Sequence, residues 1–198
     1  MMKISNELKD IVKAWLAISL AFGILLLSDN KSLGFSLFTA AITVGLGFLV
    51  HELSHRYFAR KFHKHAEFKA NNGMLLLAIL MSFFGFVFAA PGAVVISGFV
   101  TRKEGGIIAT SGPAANLALA LLFLPFVFIF PHTNLALIAY YGIMINAWLA
   151  LFNLIPFFGF DGHRIMEWNK LVYAGMLALA IALNVMHIIL PNVTKVLG

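Results

Sequence analysis

The residues best suited to chemistry lie close together, in the sequence HELSH at positions 51–55. Residues at i and i+4 share one face of a helix, so the imidazoles of His51 and His55 can bind one Zn²⁺ ion. Glu52 lies beside them, where its carboxylate can act as general base on a water molecule at the metal. The other interpretation of these polar residues is that they snorkel to a membrane interface. The spacing favours a zinc-dependent hydrolytic site.

A catalytic zinc site usually needs a third protein ligand besides two histidines. The chain has no cysteine, so that ligand must be a histidine or a carboxylate. Six acidic residues lie in loops or at the ends of apolar runs: Glu7, Asp10, Asp29, Glu67, Glu104 and Glu167. Asp161 is instead the acid within an apolar stretch, so we predict one zinc ion per chain held by His51, His55 and Asp161. His163, His63 and His65 remain alternative ligands.

The composition indicates that these residues lie in a membrane protein. Of the 198 residues, 61% are hydrophobic and 11% are charged, whereas soluble domains carry about 25% charged residues. Apolar runs lie at 11–28, 35–62, 73–97, 106–130, 135–158 and 171–190. We therefore expect an all-α polytopic membrane protein with five to six transmembrane helices, forming a single membrane-embedded domain over residues 1–198. We interpret the first run as a retained helix. The net charge of +6 comes from short loops, so nucleic-acid binding is not expected.

The third run, 73–97, differs from the others. Glycine and proline interrupt it, and its second half, GAVVISGFV, is rich in β-branched residues. Non-helical backbone at membrane depth must be buried in protein or line a wet cavity. The pattern predicts a short β-ribbon or re-entrant element between the second and fourth runs, with a kinked spanning helix as the alternative.

Near the end of the fifth run, Pro156 should break the helix and free backbone groups. Gly159 and Gly162 then let the chain turn just around Asp161. Asn153, one turn before the proline, could donate hydrogen bonds to a substrate carbonyl or to the oxyanion of the transition state. The alternative for Asn153 is a hydrogen bond between helices.

Three ordered stretches resemble the site-2 proteases (peptidase family M50), which are intramembrane zinc metalloproteases. They are HELSH at 51–55, SGPAANL at 111–117 and NLIPFFGFDG at 153–162. The resemblance implies that His51, His55 and Asp161 bind zinc, that Glu52 is the base and that Asn153 contributes to transition-state binding. It also implies a membrane-anchored protein substrate cut in or near a transmembrane segment. The stretch at about 73–90 is additional to the leanest members, and residues 1–198 contain no PDZ or CBS module of the kind that some members carry.

The expected topology follows from the directions in which the apolar runs must cross the membrane. His51 and Asp161 each lie near the C-terminal end of an apolar run. If they meet at one metal, these two runs must cross the bilayer in the same direction. The fourth run, which lies between them, reverses the direction once, so the third run must contribute an even number of crossings. Twelve of the 14 basic residues then share one side, leaving only Lys31 and Lys195 opposite. The positive-inside rule makes that side cytoplasmic. We expect an integral protein of the cell membrane with its N-terminus and active site toward the cytoplasm.

Two other function classes use the same residues. A zinc or cation transporter would bind metal transiently and would not need Glu52 as a base. A catalytically silent membrane adaptor would keep the fold for helix binding. The presence of two imidazoles, a carboxylate ligand and an adjacent base favours the protease.

Overall fold

The computed structural model of the chain describes residues 6–27, 32–87 and 91–189, with only the backbone given for 187–189. Contacts divide the chain into two compact units, residues 1–98 and 99–198, which are taken in turn. The interpretation of residues 1–198 as a single domain stays a prediction.

The first unit combines helices with a two-stranded ribbon. Its elements are α1 (Asn6–Leu26), α2 (Leu33–Ala40), a π-helical segment (Ala41–Gly45), α3 (Leu46–Lys61), β1 (His65–Ala70), α4 (Asn72–Ser82) and β2 (Gly92–Ser97). From α2 to α3 the chain forms one helical stretch of 29 residues with a mean hydropathy of 2.0. At 1.5 Å per residue this stretch is about 43 Å long, which exceeds the hydrocarbon core of a bilayer. The predicted helix around the HELSH sequence is therefore confirmed.

The π-helical segment packs tightly against α1. The indole Nε1 of Trp15 donates a hydrogen bond to the backbone oxygen of Ala41 at 3.2 Å. Gly45 permits this approach, because a Cβ atom there would lie 2.6 Å from Trp15 Nε1 and from Ser19 Oγ. A π-helical turn holds more residues than an α-helical turn. The segment thus changes the direction in which the next turns of α3, including His51, face.

The C-terminal end of α3 is a Schellman motif. His63 adopts a left-handed conformation with φ of 56°. Its backbone N–H donates to the backbone oxygen of Arg60 at 2.9 Å. The backbone N–H of Lys64 donates to the backbone oxygen of Ala59 at 3.0 Å. These two bonds satisfy carbonyls that would otherwise lack partners at the helix end. Glycine is the usual residue at this position, so His63 is held there against its conformational preference.

The ribbon places β1 and β2 antiparallel, with Phe68 opposite Val94 and Ala70 opposite Gly92. Phe68 is fully buried and contacts Phe48 of α3 edge-on, with ring centroids 5.8 Å apart. This aromatic contact anchors the ribbon on the helix that carries the HELSH residues. The predicted short β-element between the second and fourth apolar runs is confirmed.

The segment between the two strands leaves the ribbon and returns to the same place. The backbone N–H of Asn71 donates to the backbone oxygen of Pro91 at 3.0 Å, extending the ladder by one pair. Between them, α4 has 11 residues and so spans about 16 Å, roughly half of a hydrocarbon core of about 30 Å. Phe83 and Phe84 follow it and are strongly exposed. The segment therefore begins and ends at the same end of the ribbon, and the number of membrane crossings in the third run stays a prediction.

In the described residues 99–189 of the second unit, the regular elements are all helices. These are α5 (Arg102–Ile129), α6 (Asn134–Asn153), α7 (Asp161–Trp168) and α8 (Lys170–Ile189). Thr101 and Glu104 form a capping box that starts α5. Deep between α5 and α6, the fully buried Asn116 donates a 3.0 Å hydrogen bond to Asn146. In an apolar interior such a bond fixes which faces of the two helices meet.

Three helices in the described part of the chain are long and apolar enough to cross a membrane: Leu33–Lys61, Arg102–Ile129 and Asn134–Asn153. The apolar helices Asn72–Ser82 and Lys170–Met186 are shorter. Helix α1 is long enough, but its first half contains the charged residues Glu7, Lys9, Asp10 and Lys13. The mostly helical fold is confirmed, whereas the expected five to six spans are not.

Pro156 acts as predicted in the connection between α6 and α7. Helix α6 ends at Asn153, and the chain turns through Gly159, which has φ of 98°. Gly162 then lies against the end of α6, since a Cβ atom there would come within 2.3 Å of the backbone oxygen of Leu154. The start of α7 can therefore approach α6 this closely only without a side chain at position 162.

Replacing Gly162 with alanine should destabilise the protein by about 2 kcal/mol, because the new methyl group meets rigid backbone. Thermal unfolding in detergent would measure the change as a lower Tm. Gly175→Ala is the matched control, since Gly175 also lies in a helix of this unit but has open space around it. Its Tm should stay the same or rise. Equal Tm values for the two variants would contradict the close approach.

Candidate metal centre

The two histidines of the HELSH sequence point at a common position. Their Nε2 atoms lie 3.0 Å apart, and the rings are nearly perpendicular, with centroids separated by 4.6 Å. His51 is buried, with 6% of its surface exposed. This geometry follows from the helix, because consecutive turns place residues four apart on one face.

The arrangement of the two imidazoles fits zinc. With Zn–N bonds of 2.0–2.1 Å in tetrahedral geometry, two ligand nitrogens are about 3.3 Å apart. The observed 3.0 Å between His51 Nε2 and His55 Nε2 is within a few tenths of that value. Two imidazoles without any thiolate in the chain also form a donor set that zinc accepts. His51 and His55 can therefore hold the metal without rearrangement of α3.

The carboxylate of Glu52 is fixed by the ribbon. The backbone N–H of Val94 in β2 donates to Glu52 Oε2 at 3.1 Å. One carboxylate oxygen is thus positioned by main chain, which cannot change rotamer as a side-chain donor could. The sequence pattern placed Glu52 beside the histidines but gave no indication of this contact.

A second carboxylate, that of Glu7 in α1, binds the opposite edge of the ribbon. It accepts a 3.1 Å hydrogen bond from the backbone N–H of Phe68. Arg56 approaches it with two nitrogens, Nε to Oε1 at 2.7 Å and Nη2 to Oε2 at 2.8 Å. Only Nη2 donates a hydrogen bond with good geometry. A hydrogen bond between two charged groups is stronger than one between neutral groups, and the Glu7 side chain is only 13% exposed. In the sequence, Glu7 lies at the end of an apolar run, and nothing there indicates this contact.

Two further side chains complete this edge. Arg60 donates to the backbone oxygen of Ala66 from Nε at 3.1 Å and from Nη2 at 2.8 Å. Asp10 accepts from the backbone N–H of Ala70 at 3.2 Å. Its hydrogen bond with Lys13, and secondly that with Ala70, hold the pKa of the Asp10 carboxyl below its usual value. The outer edge of β1 is therefore bound by charged groups from α1 and α3.

Asp161 lies in the second unit as the first residue of α7. The helix dipole stabilises a negative charge in the first turn of a helix. His163, an alternative ligand in the sequence analysis, lies 3.5 Å from Glu167 on the same helix. His63 occupies the end of α3 described above. The assignment of Asp161 as the third ligand stays a prediction.

Asn153 is the last residue of α6. Its Nδ2 donates to the backbone oxygen of Leu149 at 2.9 Å, within the same helix. This bond is local, and it is neither the bond to substrate nor the bond between helices that the sequence predicts. An amide nitrogen has two hydrogens, so one remains for another acceptor. The catalytic role of Asn153 stays a prediction.

Two named relatives are similar to this chain. A protein of Methanocaldococcus jannaschii, provisionally named a zinc metalloprotease, is 44% identical over 136 residues, which cover 67% of this chain and 71% of that protein. A protein of Bacillus subtilis with the same provisional description is 32% identical over 148 residues, or 64% of this chain and 66% of that protein. No family model matches the chain, and no solved structure matches it.

Removing one imidazole should abolish metal binding. In His51→Ala, zinc measured by elemental analysis of the purified protein should fall from about one per chain to less than about a tenth. His63→Gly is the control, because it removes a histidine just beyond the C-terminal end of α3, where glycine adopts the left-handed backbone conformation without strain. It should keep its zinc and be more stable by about 1 kcal/mol. Full zinc content in His51→Ala would rule out the proposed ligand.

Proposed function

We propose that this protein is an intramembrane protease that hydrolyses peptide bonds in or near transmembrane segments of membrane-anchored proteins. The chain belongs to the zinc metalloprotease family of its relative from Methanocaldococcus jannaschii. Zinc is the cofactor that its donor set fits. The observation that carries the proposal is the His51–His55 pair with Nε2 atoms 3.0 Å apart, on a helix of 29 residues with the length and hydropathy of a membrane span. Hydrolysis at such a site would cut a peptide bond that lies within the bilayer.

When bound, zinc supplies a Lewis acid that lowers the pKa of a water molecule and polarises a carbonyl group. The residues of the chain do the remaining work. His51 and His55 present their Nε2 atoms, and Glu52 accepts the proton of the attacking water on its carboxylate. Glu52 then returns this proton to the nitrogen of the leaving amine. The hydrogen bond from Val94 limits the rotamers that the carboxylate can adopt during both transfers.

Asp161 and Asn153 are the proposed contributions of the second unit. Asp161 supplies the third zinc ligand, consistent with a carboxylate at the first position of a helix in a chain without cysteine. Asn153 uses its second amide hydrogen to stabilise the oxyanion of the transition state. Asp161→Asn should weaken zinc binding, whereas Asn153→Ala should keep zinc and lower kcat.

The substrate must be extended where it is cut, because a helix engages its carbonyls in hydrogen bonds. The strand β2 offers an edge for such a peptide. Val94 directs its N–H away from β1, and Ile96 has the same orientation two residues along the strand. In a peptide whose carbonyl accepts from the Ile96 amide, the next carbonyl on the same side of the strand lies about 7 Å further along. That carbonyl would be beside Glu52. We therefore propose that substrate adds to this edge as a further strand.

The membrane setting is proposed from composition and charge. The site lies on α3 ten residues before its end, so about 15 Å of helix separates His51 from Lys61. Arg56, Arg60 and Lys61 follow the histidines, which by the positive-inside rule directs this end toward the cytoplasm. Arg56, the first of these charges, is five residues or about 7.5 Å beyond His51, so we propose that the cut lies in the cytoplasmic half of a transmembrane segment.

The replacement Glu52→Gln should keep zinc at about one per chain but lower kcat by about a thousandfold, because the amide cannot accept the proton of water. The assay is cleavage of a membrane-anchored reporter in detergent, followed on a gel beside elemental analysis of both proteins. Zinc uptake into vesicles should be absent in both. Uptake that survives in Glu52→Gln would support a transporter, and zinc without cleavage by the native protein would support an adaptor.

Replacing Ile96 with proline tests the strand-addition proposal. Proline removes the outward N–H but no hydrogen bond to β1, because Ile96 does not bond across the ribbon. We expect kcat/KM for an unfolded or locally extended substrate to fall about tenfold below that of Ile96→Ala, which loses the side chain and keeps the N–H. Equal kcat/KM values for the two variants would exclude pairing at this position.

A further inference from the structure

The cross-strand pair of Phe68 and Val94 has carboxylates on both of its outer sides. In an antiparallel ribbon, a residue pair either exchanges both of its hydrogen bonds or directs both N–H groups outward. Phe68 donates to Glu7 and Val94 donates to Glu52, so this pair is of the second kind. The ribbon at this point is held between a carboxylate of α1 and a carboxylate of α3.

Helix α3 reaches both edges of the ribbon. Glu52 contacts the β2 edge directly, and Arg56, one turn later, binds Glu7 on the β1 edge. Arg60, one further turn along, donates to Ala66 O on the same β1 edge. These three residues lie at intervals of four, so they share one face of α3. A shift of β1 relative to α3 would therefore move Val94 relative to Glu52.

We propose that Glu7 is a positioning residue for the general base. Its carboxylate, fixed by Arg56, holds the Phe68 amide and so sets the position of Val94, whose N–H orients Glu52. This inference rests on the proposed function for the role of Glu52 in hydrolysis. The contacts themselves exist without substrate and can be tested without catalysis.

Asp10 provides a matched control for Glu7. It lies on the same helix, nearly one turn later, and accepts from Ala70 on the same edge of β1. Ala70 pairs with Gly92 at the end of the ribbon, so its amide is not opposite Val94. Loss of the Asp10 carboxylate should loosen the end of the ribbon without displacing the amide that binds Glu52.

The experiment measures two properties of the zinc-loaded full-length protein in detergent. The first is the exchange rate of the Val94 amide by hydrogen–deuterium exchange with single-residue fragmentation. The second is kcat and KM for reporter cleavage. In Glu7→Ala we expect Val94 to exchange about tenfold faster and kcat to fall about tenfold, with KM and zinc content unchanged. Asp10→Ala should leave Val94 exchange and kcat at native values.

The isosteric variants separate position from stability. Glu7→Gln keeps an oxygen for the Phe68 N–H but loses the ion pair, so its kcat should fall by only about threefold, partly rescuing the alanine variant. If Glu7→Ala does not fold, Glu7→Gln beside Asp10→Asn decides the question with the same two measurements. A lower Tm with native Val94 exchange and native kcat would show a structural role alone and overturn the proposal. Equal effects of the Glu7 and Asp10 variants would overturn it as well.

The exchange measurement also separates this inference from the proposed function. If the native protein cuts no substrate but Glu7→Ala speeds exchange at Val94, the positional coupling holds and the protease assignment fails. If the native protein cuts its substrate but Glu7→Ala changes neither exchange nor kcat, the coupling fails and the protease assignment holds.

Discussion

A two-stranded ribbon has two outer edges, and the backbone groups on those edges must find hydrogen-bond partners wherever water is scarce. Much of the first unit is arranged by this requirement. Glu7 and Asp10 from α1 bind amides of β1, Arg60 binds a carbonyl of β1, and Glu52 binds an amide of β2. The carboxylate proposed as general base therefore also satisfies the backbone of the strand beside it. Structural and catalytic requirements fall on the same side chain.

Local features were predictable from the sequence because their causes are local. The spacing of His51 and His55 determines their meeting on one helix face, and the β-branched residues of 92–97 form a strand as expected. Pro156 ends α6 because it cannot continue the hydrogen-bond pattern of a helix. Contacts between distant residues were not predictable in this way. Glu7 and Arg56 are 49 positions apart, and nothing in either neighbourhood indicates the other.

The count of membrane spans shows why hydropathy alone is an incomplete guide. The run at 73–97 has the length of a span, but it contains a short helix, α4, and a strand, β2. The chain leaves the ribbon after Asn71 and rejoins it at Pro91. The first run begins within α1, whose charged first half is committed to the ribbon through Glu7 and Asp10. Hydropathy records how apolar a segment is. It does not record whether the backbone reverses direction or whether a charge at its start has a partner within the protein.

The adjacency of Asn71 and Pro91 has a consequence for how this fold can vary. Because the ladder continues through this pair, the ribbon would close as an ordinary hairpin if a short turn replaced residues 72–90. The excursion can therefore change in length and composition without altering the register of the strands or the amide that binds Glu52. Evolution or protein engineering can thus lengthen, shorten or recompose α4 while the histidine pair of α3 stays unchanged.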